Sequence, residues 1–237
     1  MNIAIIFAGG IGQRFGNEGL PKQFVEVLEK PLVIHTLEVF EIHPEIDKIY
    51  ISTVKEYREY TEKIIKDFGI SKVAGVTDGG ETSQDSIYNA LKQAKKENPD
   101  DSIVLIHDGV RPIIYPDVIS KNINSVKQNG NAITCTPCCE TIIVSEDGLS
   151  PKEVLLRNDA YTAQAPQSFR LGDIIEAHEA IRNRPERYRN IIDSCTMYHY
   201  LKRRTYIVRG NLGNVKITTP WDIHALKEAI KFKKKKQ

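Results

Sequence analysis

The sequence predicts an α/β fold built on a mainly parallel sheet, because short apolar runs of strand length alternate with amphipathic stretches of helical spacing. Residues 2–7 are a continuous apolar run that ends at Ala8-Gly9-Gly10, and similar runs recur at 48–53 and 102–107, with a shorter one at 132–136. Runs without polar alternation suit strands covered by helices on both faces. A further observation marks an interruption: residues 131–157 are β-prone, have no helical period and contain the turn Glu146-Asp147-Gly148. That stretch reads as antiparallel strands inserted into the α/β body.

Taken in order, the first helical stretch is 32–42, with Leu32, Ile34, Leu37, Val39 and Phe40 among polar residues and His43-Pro44 as its stop. Residues 55–68 and 83–97 also have helical spacing, and Asn98-Pro99-Asp100-Asp101 ends the second of them. Helical patterns return at 171–182 and 192–202, strands are expected at 205–209 and 215–218, and a last helix opens at Thr219-Pro220-Trp221-Asp222. Thr ahead of Pro at the first helical position is a sound N-terminal signal. With no repeat and no low-complexity linker, the chain reads as one domain, 1–237, carrying an inserted arm at about 137–158.

At 237 residues the chain can bury a core without disulfides or a structural metal, and 41% hydrophobic with 27% charged residues excludes wholesale disorder. No apolar run reaches membrane-helix length, and MNIAIIFAGG lacks the basic flank and long apolar stretch of a secretory signal, so a cytoplasmic protein without membrane insertion is expected. The net charge of +2 is a property of the last seven residues, which hold five lysines; the rest has 28 basic against 31 acidic residues. This is not the footprint of a nucleic-acid-binding domain, and the lysine tail reads as a solvated helix end. Cys135 and Cys138 form a C-x-x-C without the second pair or clustered histidines that zinc needs, so reduced, structural thiols are expected.

Chemistry concentrates at four places. The loop Ala8-Gly9-Gly10-Ile11-Gly12-Gln13-Arg14 follows the first strand, where glycines let backbone N–H groups approach a phosphate. A dinucleotide site would want an acid at the end of the second strand, but Ser52-Thr53-Val54-Lys55 has none. The loop instead carries Arg14, followed by Pro21-Lys22-Gln23, and two cations beside glycines suit a triphosphate better than a redox cofactor. Asp108, in His107-Asp108-Gly109-Val110-Arg111-Pro112, lies beyond the carboxyl end of a buried strand, where ligands of open α/β sheets bind and where a carboxylate can hold Mg²⁺; His107 reads as packed. Arg157-Asn158 with Gln164-Ala165-Pro166-Gln167, and Asn214-Val215-Lys216-Ile217-Thr218, add two more cations in loop or strand-end contexts.

In this order, and across almost the whole chain, the set resembles the CTP-dependent cytidylyltransferases that activate small polyol phosphates, whose two branches make CDP-methylerythritol and CDP-ribitol. The resemblance implies a nucleotide-diphospho-sugar-transferase-like fold with an extended β-arm, Mg²⁺ as cofactor, CTP and a polyol phosphate as substrates, and a homodimer in which the arm reaches the other subunit's site. It implies nucleotide contacts by Ala8, Gly9, Gly10, Gly12 and Ser86, and a metal ligand in Asp108. Arg14 and Lys22 would offset charge on the triphosphate; Arg111, Thr141, Arg157 and Lys216 would grip the acceptor phosphate, with Asp193 and Ser194 available to its hydroxyls. Arg14, Lys22, Arg157 and Lys216 are thus the expected catalytic cations.

The chain departs from the family pattern at Ser83, where an arginine is expected, and at Glu140-Thr141, Gln164-Ala165-Pro166-Gln167 and Ile192-Asp193, where Asp-Thr, Gln-Thr-Pro-Gln and a Ser/Thr-Asp pair are usual. These changes fall on the acceptor side. The wording Arg157-Asn158 before Tyr161, Asp193-Ser194-Cys195 and Thr218-Thr219-Pro220 looks closer to the ribitol-phosphate branch. Methylerythritol phosphate is the alternative acceptor, and a dinucleotide-dependent reductase and a non-catalytic nucleotide-binding module are the readings from other classes.

Overall fold

The computed structural model describes residues 1–10, 20–188 and 190–234. In chain order its strands are β1 (Asn2–Ala8), β2 (Glu26–Val27), β3 (Lys30–Pro31), β4 (Lys48–Thr53), β5 (Val73–Asp78), β6 (Ile103–Asp108), β7 (Asn131–Pro137), β8 (Ile143–Val144), β9 (Glu153–Val154), β10 (Tyr161–Arg170) and β11 (Ile207–Arg209). The helices are α1 (Leu32–Glu41), α2 (Arg58–Asp67), α3 (Ser83–Glu97), α4 (Pro116–Asn129), α5 (Leu171–Arg182), α6 (Pro185–Tyr188), α7 (Ser194–Tyr200) and α8 (Pro220–Lys234).

Seven strands form the central sheet in the order β11-β7-β10-β6-β1-β4-β5. Every pairing is parallel except those of β10, which runs antiparallel to both β6 and β7. The continuous apolar runs are explained by the two faces. Ala4, Ile6 and Ala8 of β1, with Ile103 and Leu105 of β6, join the core under α1, α2 and α4, while Ile3, Ile5, Val104 and Ile106 join the core under α3 and α5. A third cluster, of Val27, Leu32, Ile217, Ile223 and Leu226, fastens α8 beside the β2–β3 hairpin.

Several elements differ from the sequence expectation. The stretch 215–218 is not a strand; it crosses the sheet edge, tied by the Ile217 N–H to the Val110 carbonyl at 3.0 Å. The helix expected at 192–202 starts at Ser194 because Asp193 is its cap, and the first turn of 55–68 is a 3-10 turn ahead of α2. The strands β5 and β10 and the helix α4 were not expected, nor were the short elements β2, β3 and α6. In the 137–158 segment Pro137 ends β7 opposite Tyr161, and beyond it only Ile143–Val144 and Glu153–Val154 pair, as a short hairpin separate from the main sheet.

Candidate active site

The carboxyl ends of β1, β4, β5 and β6 lie at one edge of the sheet, together with the start of β10, because β10 alone runs the other way. Ala8, Gly9 and Gly10 leave β1 there. Gln23, almost fully buried, donates from Nε2 to the carbonyls of Ala8 at 2.5 Å and Gly10 at 3.1 Å, and so fixes the path of the loop from below. Gly9 is a close-approach glycine: a Cβ there would come within 2.5 Å of Ser86 Oγ. Ser86 in turn accepts from the Gly80 N–H at 3.0 Å and donates to the Thr82 carbonyl at 3.1 Å, which folds the 79–86 turn against the glycine loop.

That turn is anchored from outside. Thr82 and Asp85 form a reciprocal capping box at the start of α3. Asp85 also takes hydrogen bonds from Tyr188 and Arg182, each at 2.6 Å. Burial alone would raise the Asp85 pKa, but Thr82, Tyr188 and Arg182 outweigh it and hold the carboxyl at about 2. The sequence offered no sign that Arg182 serves the site, since the contact spans two helices far apart in the chain.

Asp108 ends β6 in the buried floor of the site. Its Oδ1 meets Lys216 Nζ at 2.5 Å and its Oδ2 accepts from Arg111 Nε at 2.8 Å. Burial opposes ionisation, yet the two cations prevail and the carboxyl stays at about 2. Arg111 reaches on to the Asn214 carbonyl at 2.7 Å, and Asn214 Nδ2 donates to the Ala165 carbonyl at 2.6 Å, so the 214–217 segment is pinned to β10. Lys22 Nζ donates to the Ile217 carbonyl at 3.0 Å, which brings the second expected cation beside the same segment. His107 is packed as expected; it contacts the Phe40 ring and pairs Nε2 with the Arg111 carbonyl, and burial pushes its pKa down to about 4.

Above this floor lies a pocket of about 260 Å³ walled by the start of α3 (Ser83, Gln84, Ile87), by β10 (Ala163, Gln164, Ala165, Gln167) and by Ile192, Asp193 and Ser194, with Phe7, Asp108, Arg111 and Lys216 below. Of the expected residues, Asp108, Arg111, Asp193, Ser194 and Lys216 line this pocket, whereas Ala8, Gly9, Gly10 and Ser86, where the glycine loop meets the 79–86 turn, are not among its lining residues. Asp193 lines the pocket, but its carboxylate already caps α7 through the Thr196 N–H at 2.8 Å and accepts from Gln167 Nε2 at 2.9 Å. Thr141 and Arg157 do not line this pocket: they face each other on the exposed arm, Arg157 donating to Thr141 Oγ1 at 3.4 Å. Gly12 and Arg14 lie outside the described residues.

Among the described residues no three His, Cys, Asp or Glu side chains gather to cage a metal. A lone buried carboxylate in an anion-attracting pocket does fit Mg²⁺, which keeps several waters and completes its shell with substrate phosphates. Asp108 is the residue that would hold it.

Comparison with known proteins bears on this geometry. Residues 2–231 match the IspD family, 2-C-methyl-D-erythritol 4-phosphate cytidylyltransferase. The chain is 40% identical over 227 residues to a ribitol-5-phosphate cytidylyltransferase of Streptococcus agalactiae, covering 96% of this chain and 94% of that protein. It is 42% identical over 230 residues to the protein of that name from Vibrio parahaemolyticus, covering 97% and 96%. Among solved structures, 4-diphosphocytidyl-2C-methyl-D-erythritol synthase of Anaerococcus prevotii superposes with a TM-score of 0.80 at 25% identity, over 97% of this chain and 96% of that one. The Francisella tularensis 2-C-methyl-D-erythritol 4-phosphate cytidylyltransferase gives 0.77 at 26%, over 95% and 97%. Glycine turn, clamped carboxylate and full-length likeness agree, and the chain belongs to the IspD family of cytidylyltransferases: it is a nucleotidyltransferase acting on a polyol phosphate.

Proposed function

We propose that the protein transfers CMP from CTP to ribitol 5-phosphate, forming CDP-ribitol and releasing pyrophosphate. Support for this acceptor comes from relatives at 40% and 42% identity that carry the ribitol-5-phosphate name over nearly their whole length. The observation that carries the chemistry is Asp108, buried and held ionised between Lys216 and Arg111 beside a glycine turn. An oxygen of the acceptor phosphate forms a bond to the α-phosphorus of CTP, while the bond from that phosphorus to the bridging oxygen breaks and its electron pair leaves with pyrophosphate. The attacking oxygen is already ionised, so no general base is required. The obstacle is repulsion between two anions, and fixed cations lower it most where water is excluded.

On this reading Ala8, Gly9, Gly10, Gly12 and Ser86 cradle the nucleotide, and Arg14 and Lys22 face its triphosphate. Lys216 and Arg111 receive the acceptor phosphate, and Asp193 stands near the polyol chain. Mg²⁺ on Asp108 would supply further charge neutralisation at the phosphates. The 137–158 arm, an insertion within one domain, would present Thr141 and Arg157 to the pocket of a second copy in a homodimer. CDP-ribitol would serve surface-polymer synthesis from the cytoplasm.

Pyrophosphate release with CTP and Mg²⁺, tested against ribitol 5-phosphate, methylerythritol 4-phosphate, erythritol 4-phosphate and glycerol 3-phosphate, decides the acceptor. Ribitol 5-phosphate should exceed the others by at least tenfold in kcat/KM, a margin of about 1.4 kcal/mol. A tenfold preference for methylerythritol phosphate, the acceptor in the family description, would reverse the assignment.

A further inference from the structure

The pocket contains a polar group that the proposed reaction does not use. Gln84, the second residue of α3, is 3% exposed and lines the wall that faces β10. Its Nε2 donates to the Ile192 carbonyl at 3.3 Å, bridging two pocket walls that lie 108 residues apart. Its Oε1 is buried and has no partner among the described residues. The orientation of the amide follows from chemistry: a backbone carbonyl only accepts, so the nitrogen must face Ile192 and the oxygen is the end left over. An unsatisfied buried acceptor is costly and calls for a donor. Gln164 on the opposite wall repeats the arrangement, with Nε2 at 3.3 Å from Thr136 Oγ1 and Oε1 unpartnered among the described residues.

Spare carbonyls repel phosphate oxygens and accept from hydroxyls, whereas Lys216 and Arg111 on the floor of the same pocket attract phosphate. The pocket therefore has a cationic end and an acceptor end, which matches a molecule with a phosphate at one end and a chain of hydroxyls at the other. We propose that Gln84 is a specificity-determining residue whose side-chain carbonyl accepts a hydrogen bond from one hydroxyl of the bound polyol chain. This rests on the reading of the pocket as the acceptor site, and it assigns to Gln84 the discrimination among polyol phosphates that differ in hydroxyl placement. Ser83, next to Gln84 on the same wall, brings no charge that would compete for the phosphate end.

The test is a cycle between side chain and substrate. Wild-type protein, Gln84→Met and Gln84→Asn are assayed by pyrophosphate release with ribitol 5-phosphate and with its four monodeoxy analogues. Gln84→Met should lower kcat/KM for ribitol 5-phosphate roughly ten- to hundredfold, the worth of a buried hydrogen bond with its unpaired partner. The KM for CTP should stay within about twofold, since the base and triphosphate sit elsewhere on this reading. For one analogue alone, wild type and Gln84→Met should be equal, because the hydroxyl that the amide reads is already missing. Gln84→Asn keeps the amide and withdraws it by one methylene, and should show the same coupling if Gln84→Met fails to fold. Equal losses across all analogues would overturn the proposal, as would a changed preference for CTP over UTP with acceptor kinetics intact, which would put the amide on the base. If wild type uses methylerythritol phosphate instead, the ribitol assignment fails separately, and the same cycle on that acceptor's deoxy analogues decides Gln84.

Discussion

The pocket floor and the arm use similar side chains in opposite surroundings. On the floor, Asp108 is 6% exposed and is gripped by Lys216 at 2.5 Å and Arg111 at 2.8 Å, with Arg111 fixed in turn by the Asn214 carbonyl. On the arm, Arg157 and Thr141 are exposed, meet at 3.4 Å, and are flanked by Leu149 at 92% and Leu156 at 73% exposure. Charge on the floor is preorganised in a low-dielectric setting, where each ion is felt strongly. Charge on the arm is screened by water and gains strength only when something covers it. One region is finished by its own fold, and the other is left to solvent.

The largest effect should come from the finished region. Lys216→Ala removes one of the two cations on a buried carboxylate, and kcat should fall by roughly a hundredfold or more, as it does when a charge stabiliser is removed. CTP binding measured by calorimetry should remain nearly intact; retained turnover would show that the floor is only structural. Arg157→Ala should raise the acceptor KM by about tenfold and leave the melting temperature unchanged, as expected of an exposed group. Mixing Arg157→Ala and Lys216→Ala chains sharpens the contrast. If the arm serves a second copy, the mixed dimers hold one intact pocket, and about a quarter of wild-type activity should return. No recovery would mean that the arm acts within its own chain.

Gly9→Ala tests the join between the glycine loop and the 79–86 turn. The added methyl would overlap Ser86 Oγ at 2.5 Å, so the KM for CTP should rise and stability should fall by about 1–3 kcal/mol, as overpacking costs elsewhere. A neutral result would show that the turn gives way freely.

Stability against pH offers a last test. His178 is fully buried, stacks on Tyr88 with ring centroids 5.4 Å apart, and has no hydrogen-bond partner among the described residues. Burial, with Arg182 nearby, lowers its pKa from 6.5 to about 3. Between those values the unfolded chain binds the proton and the folded chain does not, so stability is lost as pH falls below 6.5 and regained as it rises. The loss amounts to about 1.4 kcal/mol per pH unit for that one proton. Denaturant titrations from pH 7 to 4 should show a slope shallower by one proton in His178→Phe than in wild type. Identical slopes would mean that His178 is protonated in the folded protein.

Much of this was legible in the sequence where one residue type answers to one local force. The runs at 48–53, 83–97 and 171–182 match β4, α3 and α5 at both ends, because full burial or a regular helical stripe writes itself into the spacing. The edge strand β5 escaped because Gly75, Thr77 and Asp78 break its apolar run and only one side has a neighbour. The α4 helix was readable, with Pro116 at its first position and Gly130 past its end, yet it was missed. The β10 strand was masked by Pro166, which argues against a central strand; Pro166 falls where the pairing with β7 shifts register between Ala163 and Gln167 and no ladder bond is required. The 215–218 stretch misled in the other direction, since its β-prone residues serve a crossing segment rather than a sheet.

By itself the sequence determined the alternating architecture, the strand-end location of Asp108 and the glycine turn, because these follow from burial period and from chemistry attached to single residues. Only the tertiary structure decided which cations share the carboxylate, that Arg182 and Tyr188 brace the 79–86 turn through Asp85, and that Gln84 keeps a carbonyl to spare in the pocket wall. Those pairings join residues up to 108 positions apart. Apart from Arg111, three residues beyond Asp108, no local spacing encodes them, since they exist only once the sheet order has brought the ends together.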